Sequence, residues 1–123
     1  MRARDDTGSA VAEFVLVSIL LTVLTLGVLQ LALALLVRNT LVDAAAEGAR
    51  FASLADASPA DGVRRTRELI TTAIGPSYAA DVTIARTDYR GHPAFEVTVR
   101  APLPVIGLLG VADSLEVAGH AAI

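Results

Sequence analysis

Few side chains in this sequence can do chemistry, and those with suggestive spacing sit near its start. Gly8-Ser9-Ala10-Val11-Ala12-Glu13-Phe14 puts a carboxylate at the edge of a run that carries no charge from Phe14 to Val37. Moving an ionised carboxylate towards hydrocarbon costs roughly 2–4 kcal/mol on insertion scales, so Glu13 calls for a compensating group. Were the chain cut after Gly8, the new amino group of Ser9 would lie one helical turn from Glu13 and could neutralise it. A glutamate at the headgroup boundary has a second outlet. It can snorkel to water and favour a helix N-terminus through the dipole, with no partner at all.

Nothing else assembles into a reactive site. Cysteine is absent, which excludes disulfides and thiol chemistry. His92 and His120 stand alone in the sequence, one beside a turn proline and one near a strand end, and both read as surface residues. Without a paired ligand spacing a zinc site is not expected. Gly107 and Gly110 lack the strand-loop-helix setting of a phosphate loop. The chain is therefore read as a non-enzyme with no cofactor, no metal and no small-molecule substrate. A net charge of −3, with the arginines scattered apart from Arg64, Arg65 and Arg67, gives no footprint for nucleic acid.

The apolar content, 54% overall, is concentrated in the element that must position Glu13. As a helix, Phe14 to Val37 would reach about 36 Å, enough to cross a ~30 Å hydrocarbon core with some tilt. Ser18, Thr22 and Thr25 can return hydrogen bonds to their own helix carbonyls. Gln30 is harder to hide in lipid and could bond to another helix. Arg2 and Arg4 before the span and Arg38 and Arg50 after it nearly balance, so charge alone does not orient it.

Helical character continues past the span. Arg38 to Leu54 lacks proline and is rich in alanine. Asn39, Asp43, Glu47 and Arg50 form a polar stripe. Leu41, Ala45, Gly48, Ala49 and Ala52 form a face of mostly small residues, suited to pack on a neighbouring helix or on the chain's own sheet. Ser58-Pro59 opens a second helix with a serine cap, Val63, Ile70, Ala73 and Ile74 share its apolar face, and Gly75-Pro76 ends it. The period then drops to two: Val82 and Ile84, then Phe95, Val97 and Val99, then Leu115 and Val117 alternate with polar residues, predicting three strands. Asp88 to Pro93 supplies a turn between the first two. Pro102 to Gly110 is an uncharged apolar loop, either tucked over the core or held against a membrane or partner. The expected fold is membrane-anchored α+β: a long N-terminal helix, a short second helix and a small three-stranded antiparallel sheet that the helices must cover.

With these segments in place, the chain resembles the TadE-like family, the minor pilin or pseudopilin subunits of the tight-adherence (Flp pilus) system. Three stretches carry the resemblance: Gly8 to Phe14 with the apolar span behind it; Arg38-Asn39 through Ala44-Ala45-Ala46-Glu47-Gly48-Ala49-Arg50-Phe51; and Val97 to Ile123. The resemblance implies a pilin-like fold with a leader at residues 1–8, a membrane helix at residues 9–37 and an extracytoplasmic domain at residues 38–123. It implies cleavage between Gly8 and Ser9 by a prepilin peptidase on the cytoplasmic side of a bacterial membrane. It gives Glu13, followed by Phe14, the place of the acidic residue that meets an N-terminal amine and sets the register of neighbouring subunits. The implied partners are the membrane, the peptidase, other pilin-like subunits and the pilus assembly platform. Two features depart from the family's pattern: Val17-Ser18-Ile19 stands where many relatives carry proline, and Asp5 and Asp6 are acidic in a leader that is usually basic.

Two other readings remain beside a pilin-like assembly subunit. One is an unprocessed single-pass anchor whose outer domain binds or regulates a partner. The other is a domain released by signal peptidase at Ala44-Ala45-Ala46, with a product beginning near Glu47.

Overall fold

The computed structural model describes residues 2–102 and 114–123, and the side chains within them from Asp6 on apart from Ser114. Helix α1 spans Arg2–Ala52 and α2 spans Pro59–Ile74. A short 3-10 helix at Pro76–Ala79 leads into strands β1 (Asp81–Tyr89), β2 (His92–Pro102) and β3 (Ser114–Ala122). This is the expected α+β arrangement. The chain forms two compact units, one ending at Leu33 and the other running over Ala34–Ile123.

The first unit is a single helix whose apolar side chains are exposed along its length. Its hydroxyls find the outlet expected of them: Thr22 Oγ1 donates to the Ser18 carbonyl and Thr25 Oγ1 to the Leu21 carbonyl, both at 2.8 Å. Among the described residues this is the one helix long and apolar enough to cross a membrane.

The second unit holds the core. The helical end of α1 stops at Ala52, followed by a turn in which Ser53 Oγ donates to the Arg50 carbonyl. At α2, Ser58 forms a reciprocal capping box. Its side chain accepts from Asp61 N, while Asp61 Oδ2 accepts from Ser58 N at 2.9 Å. Pro59 fits the first helical position because its missing N–H would have no partner there. The apolar face of α2 differs in detail from the expected one. Gly62, Thr66 and Ile70 are its buried residues, Val63 and Ile74 are half-buried, and Ala73 is exposed. The centre of the contact is lined by small residues that hydropathy alone does not weight.

The sheet is antiparallel in the order β1-β2-β3. The first turn is tighter than Asp88 to Pro93. Asp88 pairs with Pro93 and Tyr89 with His92, leaving only Arg90 and Gly91 to reverse the chain. Both have positive φ, 53° and 82°, the twist that a two-residue hairpin turn needs. Pro93 has no N–H to give, but its carbonyl accepts from Ile123 N at 3.1 Å. One sheet face carries Val82, Phe95, Val97, Val99 and Val117, all buried, and joins Leu41, Ala45, Ala49 and Ile70 in one core. The apolar loop read from Pro102 to Gly110 lies outside the described residues from Leu103 on.

The other sheet face is polar, and His120 belongs to it. It was expected to stand alone at the surface. Instead it is half-buried, with Nε2 2.7 Å from Glu96 Oε2 and its ring stacked on Tyr89 at 4.4 Å between centroids. Register is the reason. β2 sets Glu96 directly opposite His120, a relation between segments far apart in sequence. His92 is exposed.

Candidate assembly site

Gly8, Ser9, Glu13 and Phe14 lie on α1 and all four are exposed, Phe14 by 73%. Ser9 and Glu13 are four residues apart on one helix and so share a face. The Gly8–Ser9 bond sits within the helix, and glycine there weakens it by about 1 kcal/mol relative to alanine. Among the described residues no hydrogen bond or ion pair of Glu13 organises this end. What the residues offer is a carboxylate and, after a cut, an amine, both on an exposed apolar rod.

The small face beyond the span is turned inward. Leu41, Ala45 and Ala49 are fully buried, Ala52 is 3% exposed, and Gly48 is buried as well. Small size is required on two sides. At Gly119 of β3, a Cβ would lie 2.5 Å from the Ala45 carbonyl carbon and 2.7 Å from Ala46 Cα, so strand and helix backbones touch there. At Gly62 of α2, a Cβ would lie 2.6 Å from Ala52 Cβ. This face therefore packs on the chain's own second helix and its own sheet.

The polar stripe points outward. Asn39, Asp43 and Arg50 are exposed and Glu47 is half-buried, paired with Arg50 Nη1 at 3.1 Å. Asp43 and Glu47 also edge a shallow groove of about 390 Å³ whose floor includes Ala44 and Leu69. On α2, Arg64 is held by Asp61 at 2.9 Å and Arg65 by Glu68 at 3.7 Å, so two of the three clustered arginines are spent within their own helix. The described residues hold no cluster of three or more His, Asp or Glu side chains fit for a metal ion. Among the described residues these side chains do not bring a nucleophile together with a base, and the second unit is a small packed core.

Residues 8–50 match the family model of TadE-like proteins. The chain is TadE-like over that segment. The match starts at Gly8, runs through Glu13 and the apolar helix, and ends at Arg50, taking in the polar stripe and the small face as far as Ala49. The C-terminal strands, which also carried the resemblance in sequence, lie beyond it. No curated protein and no solved structure matches the chain. The match over this segment suggests involvement in a function related to the tight-adherence pilus.

Sequence reasoning passed over Gly62, Thr66 and Gly119. A signal for Gly62 did exist: glycine inside a helical pattern costs about 1 kcal/mol and asks for a packing reason. Thr66 carries no such mark, since a threonine among arginines reads as part of a solvated face.

Proposed function

We infer that this chain is a non-enzymatic, pilin-like subunit anchored in the bacterial cytoplasmic membrane, taking part in assembly of a tight-adherence pilus or a related secretion complex. The observation that carries this reading is the start of the TadE-like match at Gly8, directly before Ser9 and four residues before Glu13 reaches the apolar helix. In this reading a prepilin peptidase cuts between Gly8 and Ser9 from the cytoplasmic side. The freed amine and Glu13, on the same subunit or adjacent ones, then lower each other's cost near lipid and fix the axial register of neighbouring helices. The domain from Arg38 on lies outside the cytoplasm, and Phe14 opens the apolar contact between subunits.

Release by signal peptidase is disfavoured by packing. Ala44 and Ala45 are buried within α1, and a cut just before Glu47 would remove them together with Leu41 from the core.

The deciding experiment is the intact mass of the membrane-extracted protein, made with and without the host's prepilin peptidase. Loss of the first eight residues only with the peptidase is the expected result. A full-length chain in both preparations would replace this reading with an unprocessed single-pass anchor.

A further inference from the structure

We propose that the end of the second unit nearest the apolar run is a lipid-binding surface, with Tyr78 and Arg38 seated among phospholipid headgroups. The inference rests on the reading that the apolar helix lies in a bilayer. From Phe14 to Leu33 the helix rises about 30 Å, the thickness of the hydrocarbon. Leu33 is also where the first compact unit ends. Ala34 to Val37, still apolar, already belong to the second unit, and Val37 is 3% exposed, part of that unit's core. The folded unit therefore begins without a linker. Val37 lies about 6 Å past Leu33, inside a headgroup layer of about 5–7 Å. Tilt of the helix draws the unit closer still.

Helix packing tells which residues lie at that end. As α2 advances, its neighbours on α1 recede: Gly62 meets Ala52 and Gly48, whereas Ala73 lines one groove with Thr40. α2 thus comes back towards the apolar run, and the 3-10 segment Pro76–Ala79 follows its end. β1 then leads away again. It passes Gly62 at Ile84 and reaches Tyr89 about 27 Å from Asp81. Tyr78 and Tyr89 mark opposite ends of the unit.

The side chains of the near end suit lipid. Tyr78 is half-buried and packs against the core. A tyrosine held this way presents an apolar ring and a polar hydroxyl, the combination enriched at membrane interfaces. Arg38, the first residue past the apolar run, is exposed and, among the described residues, has no carboxylate partner. Its guanidinium can take a lipid phosphate in a bidentate pair. Arg100, near the same end of the sheet, is spent on Glu116 at 3.0 Å, which leaves Arg38 and the exposed Asp81 as the open charges. A bilayer fits better than a partner protein because the helix brings this end to the headgroups whether or not another chain is present.

The chain has two tyrosines and no tryptophan, so its emission reports the two ends. Full-length Tyr89→Phe keeps Tyr78, and Tyr78→Phe keeps Tyr89. Each would be reconstituted into phosphatidylcholine vesicles containing a nitroxide-labelled lipid in both leaflets, the label just below the headgroup and the lipid either phosphatidylcholine or phosphatidylglycerol. The expected result is quenching of Tyr78 several-fold above that of Tyr89, and stronger with labelled phosphatidylglycerol. Adding Arg38→Gln should lower that preference by up to about five-fold, the weight of one cation near an anionic surface. An unchanged preference would remove Arg38 from the contact. Equal quenching of the two tyrosines would overturn the lipid surface. So would unquenched Tyr78 in a chain that floats with the vesicles, since protein would then cover this end. A chain that fails to float would overturn the membrane reading as well.

Discussion

Gly48 and Gly62 face each other backbone to backbone. A Cβ on Gly48 would stand 2.8 Å from the Gly62 carbonyl oxygen, and one on Gly62 would stand 2.7 Å from the Gly48 carbonyl oxygen. Each glycine thus makes room for the main chain of the other. The Ala-Ala-Ala-Glu-Gly-Ala run of the TadE-like segment is explained by this crossing with α2 and by the matching contact of Ala45 and Ala46 with Gly119 of β3. The small residues let the C-terminal part of α1 pack closely on α2 and β3.

The crossing decides the sign of a substitution that helix propensity alone would get wrong. In an open helix Gly48→Ala should stabilise by about 1 kcal/mol. Here the added methyl meets a main-chain carbonyl that cannot rotate away, and overpacking of this kind costs about 1–3 kcal/mol. We expect a net loss, read as a lower melting temperature by circular dichroism of the detergent-extracted protein. Gly62→Ala should behave alike. An unchanged or raised melting temperature in both would show that the helices can part without cost.

Thr66 sits in the same crossing, fully buried, with Oγ1 donating to the Gly62 carbonyl at 2.9 Å. Thr66→Val keeps the shape nearly constant and deletes the hydroxyl. It should cost about 1 kcal/mol, the net worth of one such bond, measured by the same melts. A variant as stable as the parent would mean that the hydroxyl is tolerated in the core without stabilising it.

What the sequence disclosed about this fold was local. The apolar rod, the Ser58 cap, the Gly75-Pro76 stop and the alternation in Phe95-Val97-Val99 each depend on neighbours in the chain, so period and residue type suffice to read them. Thr66, Gly119 and the Glu96–His120 pair depend on which elements meet and in what register, and they were invisible for that reason; Gly62 was marked only as a glycine inside a helix, with nothing to say what it meets. The two-residue turn at Arg90-Gly91 was nearly legible, but Pro93 and Asp88 made the loop look longer than it is. The candidate site divides in the same way. Gly8, Ser9, Glu13 and Phe14 stand out by type and spacing, and the structure adds only that all four are exposed on α1.

The capping box predicts a pH effect. Asp61 is held below the ordinary carboxylate value of 3.8, first by the hydrogen bond from Ser58 N, then by that from the Ser58 hydroxyl, with Arg64 adding to both; slight desolvation opposes them. A folded-state pKa below the unfolded one gives stabilisation that is fully present above the unfolded value and fades as pH falls through the folded one. The Asp61 carboxyl carbon, followed by NMR, should therefore titrate below the ordinary carboxylate value. The melting-temperature gap between the parent and Asp61→Asn should also narrow towards low pH. A gap independent of pH below neutrality would remove the charge from the account of the cap.

Glu13 offers the sharpest functional test, because its side chain is exposed and organises nothing in its own domain. Glu13→Ala removes a charge from the edge of the apolar helix, so membrane insertion should be kept or improved. Loss of assembly would then come from the missing partner of the Ser9 amine and not from misfolding. The expected outcome is a chain recovered from membranes in parental amount, still shortened after Gly8, with pilus formation abolished. Glu13→Gln, which preserves shape and hydrogen bonding but not charge, should fail as well if the ion pair sets the register. Gly8→Leu should yield an uncut chain, separating failure of processing from failure of pairing. Normal piliation in the Glu13→Ala strain would defeat the pairing role and leave Glu13 as a carboxylate that reaches water on its own.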